Sequence, residues 1–317
     1  MLKPIKLVPE FKEIIWGGNR LKAEYNKKSD LSNIAESWEL TVRPDGMNIV
    51  LGGEFDGLTM EEYIDKNGFS VVTDKNLDRF PLLIKFIDAC DNLSVQVHPD
   101  DNYGLKYANS LGKTEMWYVI DALPGAKLVY GLKNGVSNEM FAQAINDGKV
   151  EEMLNYVEVK KGDVYFIPAG LVHAIGAGIL LAEIQQNSNI TYRVYDYNRL
   201  GKDGKPRELH VKDALNVIVN HTDAEIDAIR YSNGKDSNSA LANCEYFKVD
   251  KYDICDKLSL FTNKNSFNSV LCLDGNGAIN FNNESFELTK GDSYFIPANI
   301  GEYTVEGNVE IIVSKIN

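Results

Sequence analysis

Apolar residues recur along this chain with two different periods. Alternating or short apolar runs bounded by Gly, Asn and Asp predict strands over 81–89 (PLLIKFIDA), 93–98 (LSVQVH), 115–121 (EMWYVID) and 127–132 (KLVYGL). The pattern continues through DVYFIPA (163–169), GILLAEIQQ (178–186) and TYRVYDY (191–197). Near the C-terminus it returns in SVLCLDG, GAINF, ESFELTKGD, SYFIPA, GEYTV and VEIIVSKI. Three stretches follow helical spacing instead: 58–68, 138–157 and 211–221. In the second, Phe141, Ala144, Ile145, Val150, Met153 and Leu154 share a face, and Gly148 is the point at which the helix would split. Residues 231–240 (YSNGKDSNSA) are small and polar, as a linker requires. The expectation is a mainly β protein with a few helices, divided into a larger unit over 1–230 and a smaller one over 241–317.

One device occurs twice. KGDVYFIPA at 161–169 and KGDSYFIPA at 290–298 differ at a single position. Lys-Gly-Asp makes a turn, Tyr-Phe-Ile a buried strand, and Pro ends it because it cannot donate to a central ladder. A repeated unit among many short strands suggests a closed or sandwiched β architecture built twice. The GD-x-x-F/Y-I-P-x-x-x-x-H pattern of the first copy resembles the second motif of the cupin superfamily. The resemblance implies two cupin-type jelly-roll β-barrels. The first copy leads to His173, and the second has Glu302 at the matching place.

Composition narrows the partners. The formal net charge of −13 disfavours nucleic acid and anionic membrane surfaces, which call for a basic face. No window approaches the roughly 18–20 apolar residues of a membrane span, and the N-terminus carries no secretory apolar stretch. Cys90, Cys244, Cys255 and Cys272 are scattered and form no CxxC pair, so reduced thiols and a cytoplasmic location are expected. An anionic small molecule remains open as a ligand where a few Lys or Arg side chains converge.

The chemistry concentrates in LSVQVHPDD (93–101). On a strand Ser94, Gln96 and His98 share one face, and Val95 and Val97 the other. Polar residues on one face and valines on the other suit a wall with a functional interior. Two imidazoles (His98, His173), the Glu115 carboxylate and the Gln96 amide oxygen form an N/O set suited to Zn²⁺, with Fe²⁺ and Mn²⁺ compatible by ligand type. Of the other two histidines, His210 and His221 fall in or beside a predicted helix and read as surface residues. Matching YVID (118–121) to LCLD (271–274) puts Asn268 opposite Glu115 in the second repeat. No histidine follows His221, so one metal per chain is expected, in the first repeat.

IWGG (15–18), ESWEL (36–40), QVHPDD, GKTEMWYV (112–119), KGDVYFIPAGLVHAIG (161–176) and EIQQNSNITYRVYDYNR (183–199) together resemble the type I mannose-6-phosphate isomerases in their shorter bacterial form. The resemblance implies a zinc-dependent aldose–ketose isomerase acting on a small sugar phosphate, mannose 6-phosphate, through an enediol. It carries metal ligation to Gln96, His98, Glu115 and His173, and the active-site arginine to Arg193. The family has a carboxylate at Glu183, either as proton-transfer base or as support for His173 or Arg193. An even spacing would put Glu183 and Arg193 on one strand face if no turn intervenes. Lys113, Ser94 and Lys85 are candidates for contacting substrate oxygens or the phosphate. Asn189 stands where the short form often has Asp, so no carboxylate role transfers to it. Glu36, Trp38 and Glu39 match a family motif that wall or packing roles explain equally well. A double-cupin oxygenase and a non-catalytic sugar-phosphate sensor are the competing readings, and the oligomeric state is left open.

Overall fold

The structure is a computed structural model that describes residues 2–201, 204–222, 224–227 and 240–317. The expected linker lies outside the described residues except for Ala240, which opens a strand.

Most described residues outside loops are in strands, arranged in three layers. The middle layer is a six-stranded antiparallel sheet in the order Val164–Ile167, Glu115–Ala122, Ile179–Gln186, Leu82–Ala89, Glu36–Leu40, Glu10–Lys12. Its two central strands are buried along their whole length, which explains their continuous apolar runs. One face, including Trp117, Val119, Ile179 and Leu181, packs on Leu128, Tyr130 and Ile175 of a five-stranded sheet. The order of that sheet is Leu154–Glu158, Lys127–Leu132, His173–Ile175, Val95–Val97, Tyr192–Tyr195. The other face, with Phe86, Met116, Leu180 and Ala182, packs on Leu271, Leu273, Phe295 and Ile312 of the C-terminal unit.

The third layer is a nine-stranded sheet built around two long strands, Asn268–Phe281 and Gly301–Lys315. Each joins two runs that read separately in the sequence. The apparent breaks are glycines at close crossings: a Cβ on Gly275 would lie 2.1 Å from the Asn308 carbonyl oxygen. Gly275 has φ +82°, and the register shifts between Cys272 and Asp274, so the strand bends without ending. Ile5–Val8 and Ile49–Leu51 belong to this same sheet, with Ile5 opposite Phe295. Strand pairing therefore crosses the expected division between 1–230 and 241–317. Among the described residues no sheet order returns to its first strand, so the structure is mainly β without showing two closed barrels.

The helix expected over 138–157 stops early. Asn138–Asn146 and Val150–Met153 are helical, separated at Gly148 with φ +70°. Leu154–Glu158 then becomes the edge strand beside Lys127–Leu132, because sheet pairing overrides its helical spacing. An unanticipated helix, Asp101–Ala108, follows the QVHPDD motif. Asp100 caps it by accepting from the Tyr103 N–H at 2.8 Å, and left-handed Asn109 ends it.

Phe295, from the second nonamer, joins the layers. It is fully buried, with its ring 5.0 Å from Phe267, 6.5 Å from Phe80 and 6.3 Å from Tyr63. Phe295→Ala should cost about 3–5 kcal/mol. Urea unfolding reads this directly, and an unchanged midpoint would mean the ring is not part of the joint.

Candidate active site and metal centre

Two cross-strand rows face each other. Across the six-stranded sheet the register aligns Trp38, Lys85, Glu183, Trp117 and Tyr165. Across the five-stranded sheet it aligns Tyr130, His173, Gln96 and Arg193. Cross-strand neighbours at one register level touch on one face, so each sheet presents a line of functional groups. The rows share a cavity of about 320 Å³ lined by Glu36, Lys85, Ser94, Gln96, Lys113, Glu183, Arg193 and Arg207, among others.

The reading of LSVQVHPDD holds in detail. Val95 and Val97 enter the apolar cluster behind the sheet, while Ser94 and Gln96 line the cavity. His98, Glu115 and His173 are buried, and one ligand atom from each lies within 4.8 Å of the others. His98 Nε2 is 3.2 Å from His173 Nε2 and 3.2 Å from Glu115 Oε1, and His173 Nε2 is 3.9 Å from Glu115 Oε2. Ligand atoms around a tetrahedral zinc at about 2.0–2.1 Å stand about 3.3 Å apart, so this spacing fits a small divalent cation. The donor chemistry fits as well. The His173 Nδ1–H donates to the Leu171 carbonyl at 2.8 Å, leaving the Nε2 lone pair for the centre. Burial, with Lys113 next in weight, pushes His98 down to about 3. Burial also lowers His173, so both rings are neutral.

Burial opposes ionisation of Glu115, but the neighbouring Lys113 charge outweighs it and holds the carboxyl well below the usual range. Neither Glu115 oxygen receives a hydrogen bond of adequate geometry, although Lys113 Nζ lies 3.0 Å from Oε1 as an ion pair. Such a buried anion, short of donors, is what a cation satisfies. Gln96 Nε2 lies 3.4 Å from His173 Nε2, so Gln96 joins the set as an oxygen donor only with its amide turned over.

Lys85 and Glu183 form a buried ion pair at 2.9 Å between the two tryptophans of their row. The Trp117 Nε1–H donates to Glu183 Oε2 at 2.9 Å. Burial, then the nearby Glu115 charge, raises the Glu183 carboxyl above its ordinary range despite Lys85. Burial works against the Lys85 charge, but Glu183 and Glu36 outweigh it and raise Lys85. Glu36 receives the Trp38 Nε1–H at 2.6 Å and stands 3.4 Å from Lys85 Nζ. Glu39 instead pairs with Lys27 at 2.6 Å in the joint between layers, where Lys27 also donates to the Gly291 carbonyl.

Arg193 and Glu183 do not share a strand. The chain turns after Gln186 and enters the opposite sheet, so they reach the cavity from different walls. The Arg193 Nε–H donates to Ser94 Oγ at 3.1 Å and an NH1 proton to the Glu208 carbonyl at 2.8 Å. Asp196, a potential structural partner, is taken by Arg199 and Arg207 instead. Among the described residues no carboxylate pairs with Arg193.

The family models match in two blocks. The phosphomannose isomerase type I catalytic domain matches residues 5–119, and the mannose-6-phosphate isomerase cupin domain residues 237–316. The mannose-6-phosphate isomerase ManA of Bacillus subtilis is 37% identical over 316 residues, 99% of each chain. The chain belongs to the type I phosphomannose isomerase family. The mannose-6-phosphate isomerase of Streptococcus mutans is 35% identical, with 100% of this chain and 99% of its own covered. The crystal structure of a Bacillus subtilis mannose 6-phosphate isomerase superposes with a TM-score of 0.89 at 35% identity, covering 98% of this chain and 99% of that one.

Within this phosphomannose isomerase fold the second repeat departs from the sequence match at one place. Ile167 opposite Glu115 and Ile296 opposite Asn268 confirm the alignment of Asn268 with Glu115. Glu302, however, is exposed, as is Phe261 across the ladder. Tyr303, one residue on, faces the core, and its hydroxyl accepts from Asn268 Nδ2 at 2.9 Å. The face alternation has slipped by one residue, and a tyrosine fills the place of the metal ligands. His210 is half-buried rather than a plain surface residue. Its backbone N–H donates to the Arg193 carbonyl at 2.7 Å. The sequence reading missed Arg207 and Trp117. Trp117 was signalled by its period-two spacing from Glu115. Arg207 lies outside the strand pattern and left no such signal.

Proposed function

We propose that this chain is a zinc-dependent isomerase interconverting mannose 6-phosphate and fructose 6-phosphate through an enediol. The observation that carries the reading is the pairing of two walls across one cavity, with the imidazoles of His98 and His173 on the five-stranded side and Glu115 and the buried Lys85–Glu183 pair on the six-stranded side. His98, His173, Glu115 and Gln96 would hold a divalent ion, which when bound would supply Lewis-acid polarisation of the sugar oxygens, and zinc suits that donor set. Glu183 takes the proton from C2 of the open-chain aldose and returns it to C1, while the hydroxyl proton of O2 passes to O1, leaving the ketose. Its raised carboxyl matches a base working near neutrality, and Lys85 orients it. Lys113 keeps Glu115 ionised. Arg193 places fixed donors where negative charge develops on the enediol oxygens. We also read the two nonamers as matching elements of two jelly-roll units, the second kept for packing.

Incubation of the purified protein with mannose 6-phosphate, with and without chelator, tests the reading. Fructose 6-phosphate should form and the chelator should abolish it. Oxygen uptake on another substrate would make the protein an oxygenase, and binding without turnover a sensor. The role of Glu183 predicts a pH profile. A base with a raised pKa is lost as pH falls through that value, so kcat/KM should fall on the acid side at a pH above the ordinary carboxylate range. Glu183→Asp should keep this limb at reduced rate, and the residual activity of Glu183→Gln should lack it. An unchanged limb in Glu183→Gln would assign it to another group.

A further inference from the structure

Charge is distributed unevenly along the cavity. Lys85 is neutralised by Glu183 at 2.9 Å and Glu36 at 3.4 Å, and Lys113 by Glu115 at 3.0 Å. Neither lysine is free to pair with a phosphate dianion as well. Among the described residues Arg193 has no carboxylate partner, and Arg207 lines the same cavity. Asp196 is buried, and both its oxygens are occupied. Oδ1 accepts from Arg199 NH2 and Arg207 NH2, each at 2.6 Å, and Oδ2 accepts from Arg207 Nε at 2.7 Å. This uses the Nε–NH2 edge of Arg207 and leaves NH1 with unassigned donors. One carboxylate thus serves two arginines, and Arg199 turns its other end to Asp91 at 3.1 Å. The backbone fixes the arrangement. Arg193 donates to the Glu208 carbonyl, and its own carbonyl accepts from the His210 N–H, so the segment bearing Arg207 is tied to the Tyr192–Tyr195 strand.

We propose that Arg207, oriented by Asp196, is the phosphate anchor of this cavity, acting beside Ser94 and Arg193. This rests on the isomerase reading and assigns the phosphate to Arg207 in preference to Lys85 and Lys113, which with Ser94 are the sequence-based candidates for contacting substrate oxygens or the phosphate. An arginine with one edge clamped offers its remaining donors at little conformational cost, and a guanidinium fork suits a phosphate. Arg207 contacts substrate on this view. Asp196 is a positioning residue.

Steady-state kinetics on zinc-replete Arg207→Ala, Arg207→Lys and Asp196→Asn, with inorganic phosphate as competitor, test the assignment. Arg207→Ala should raise KM for mannose 6-phosphate and the inhibition constant of phosphate together, by on the order of 10–100-fold, with kcat changed far less. Arg207→Lys should recover part of the loss, and Asp196→Asn should raise KM by a smaller factor. An unchanged phosphate inhibition constant, or a fall in kcat with KM unmoved, would overturn the assignment. If Arg207→Ala fails to fold, the same two constants in Arg207→Lys decide: unchanged values reject the anchor and raised values support it. Wild-type protein that binds phosphate competitively but makes no fructose 6-phosphate would refute the isomerase reading and leave the anchor standing.

Discussion

His173→Ala should leave purification without metal and with turnover reduced by on the order of 10³-fold, the scale of several kcal/mol of lost Lewis-acid stabilisation. The imidazole is held by the Leu171 carbonyl with Nε2 aimed at the centre, 3.2 Å from His98 Nε2. Removing it leaves one imidazole, one carboxylate and an amide, a weak set for zinc. The fold should survive, because the ring is lost from a buried polar cluster rather than from an apolar core and alanine is compatible with a strand. The second repeat supplies the control. Its counterpart of Glu115 is Asn268, already bonded to Tyr303, and no histidine occurs after His221. Elemental analysis of dialysed wild-type protein should therefore give about one zinc per chain, the count for a single ligand set, and the variant close to none. Two equivalents in the wild type, or full occupancy in the variant, would place a metal site elsewhere.

The cluster of His98, Glu115 and His173 was legible because strand geometry makes chemistry periodic. Period-two alternation set Ser94 and Gln96 on one face and Val95 and Val97 on the other, and the structure keeps that division. Motif matching brought His173 and Glu115 together across strands far apart in sequence. The same rule failed where the chain changes sheets. Glu183 and Arg193 have an even spacing, but the turn between them moves Arg193 to the opposing wall. It failed again at Glu302, where identity over the preceding nonamer did not preserve the face of the following strand. The long C-terminal strands were read in halves because Gly275 and Gly307 look like punctuation. Only the crossing of two backbones shows why the chain continues through them. Arg207 was invisible for a different reason. Its importance comes from Asp196, which is shared with Arg199 through contacts that no period encodes.

Arg193→Ala should retain its zinc and its fold yet lose on the order of 10²–10³ in kcat, the usual cost of one donor aimed at developing charge. Arg193 stands next to Gln96 in its cross-strand row, but a guanidinium is no metal ligand, so metal content should not change. Two hydrogen bonds, to Ser94 Oγ and the Glu208 carbonyl, set its direction before substrate arrives. Burial, followed by the Arg207 charge, lowers its pKa, and the more distant Asp196 and Glu208 charges only partly offset the cost of holding this cation. On the proposed mechanism an anion forming in the cavity offsets that cost, and the enediolate forms only as the proton leaves C2. The effect should therefore fall on kcat more than on KM, the signature of an interaction stronger in the transition state than in the bound substrate. Arg193→Lys should recover little, since a lysine ammonium cannot reproduce the fixed fork. Near-normal kcat in zinc-replete Arg193→Ala would remove it from the chemistry. A rise in KM alone would move it to the phosphate end beside Arg207.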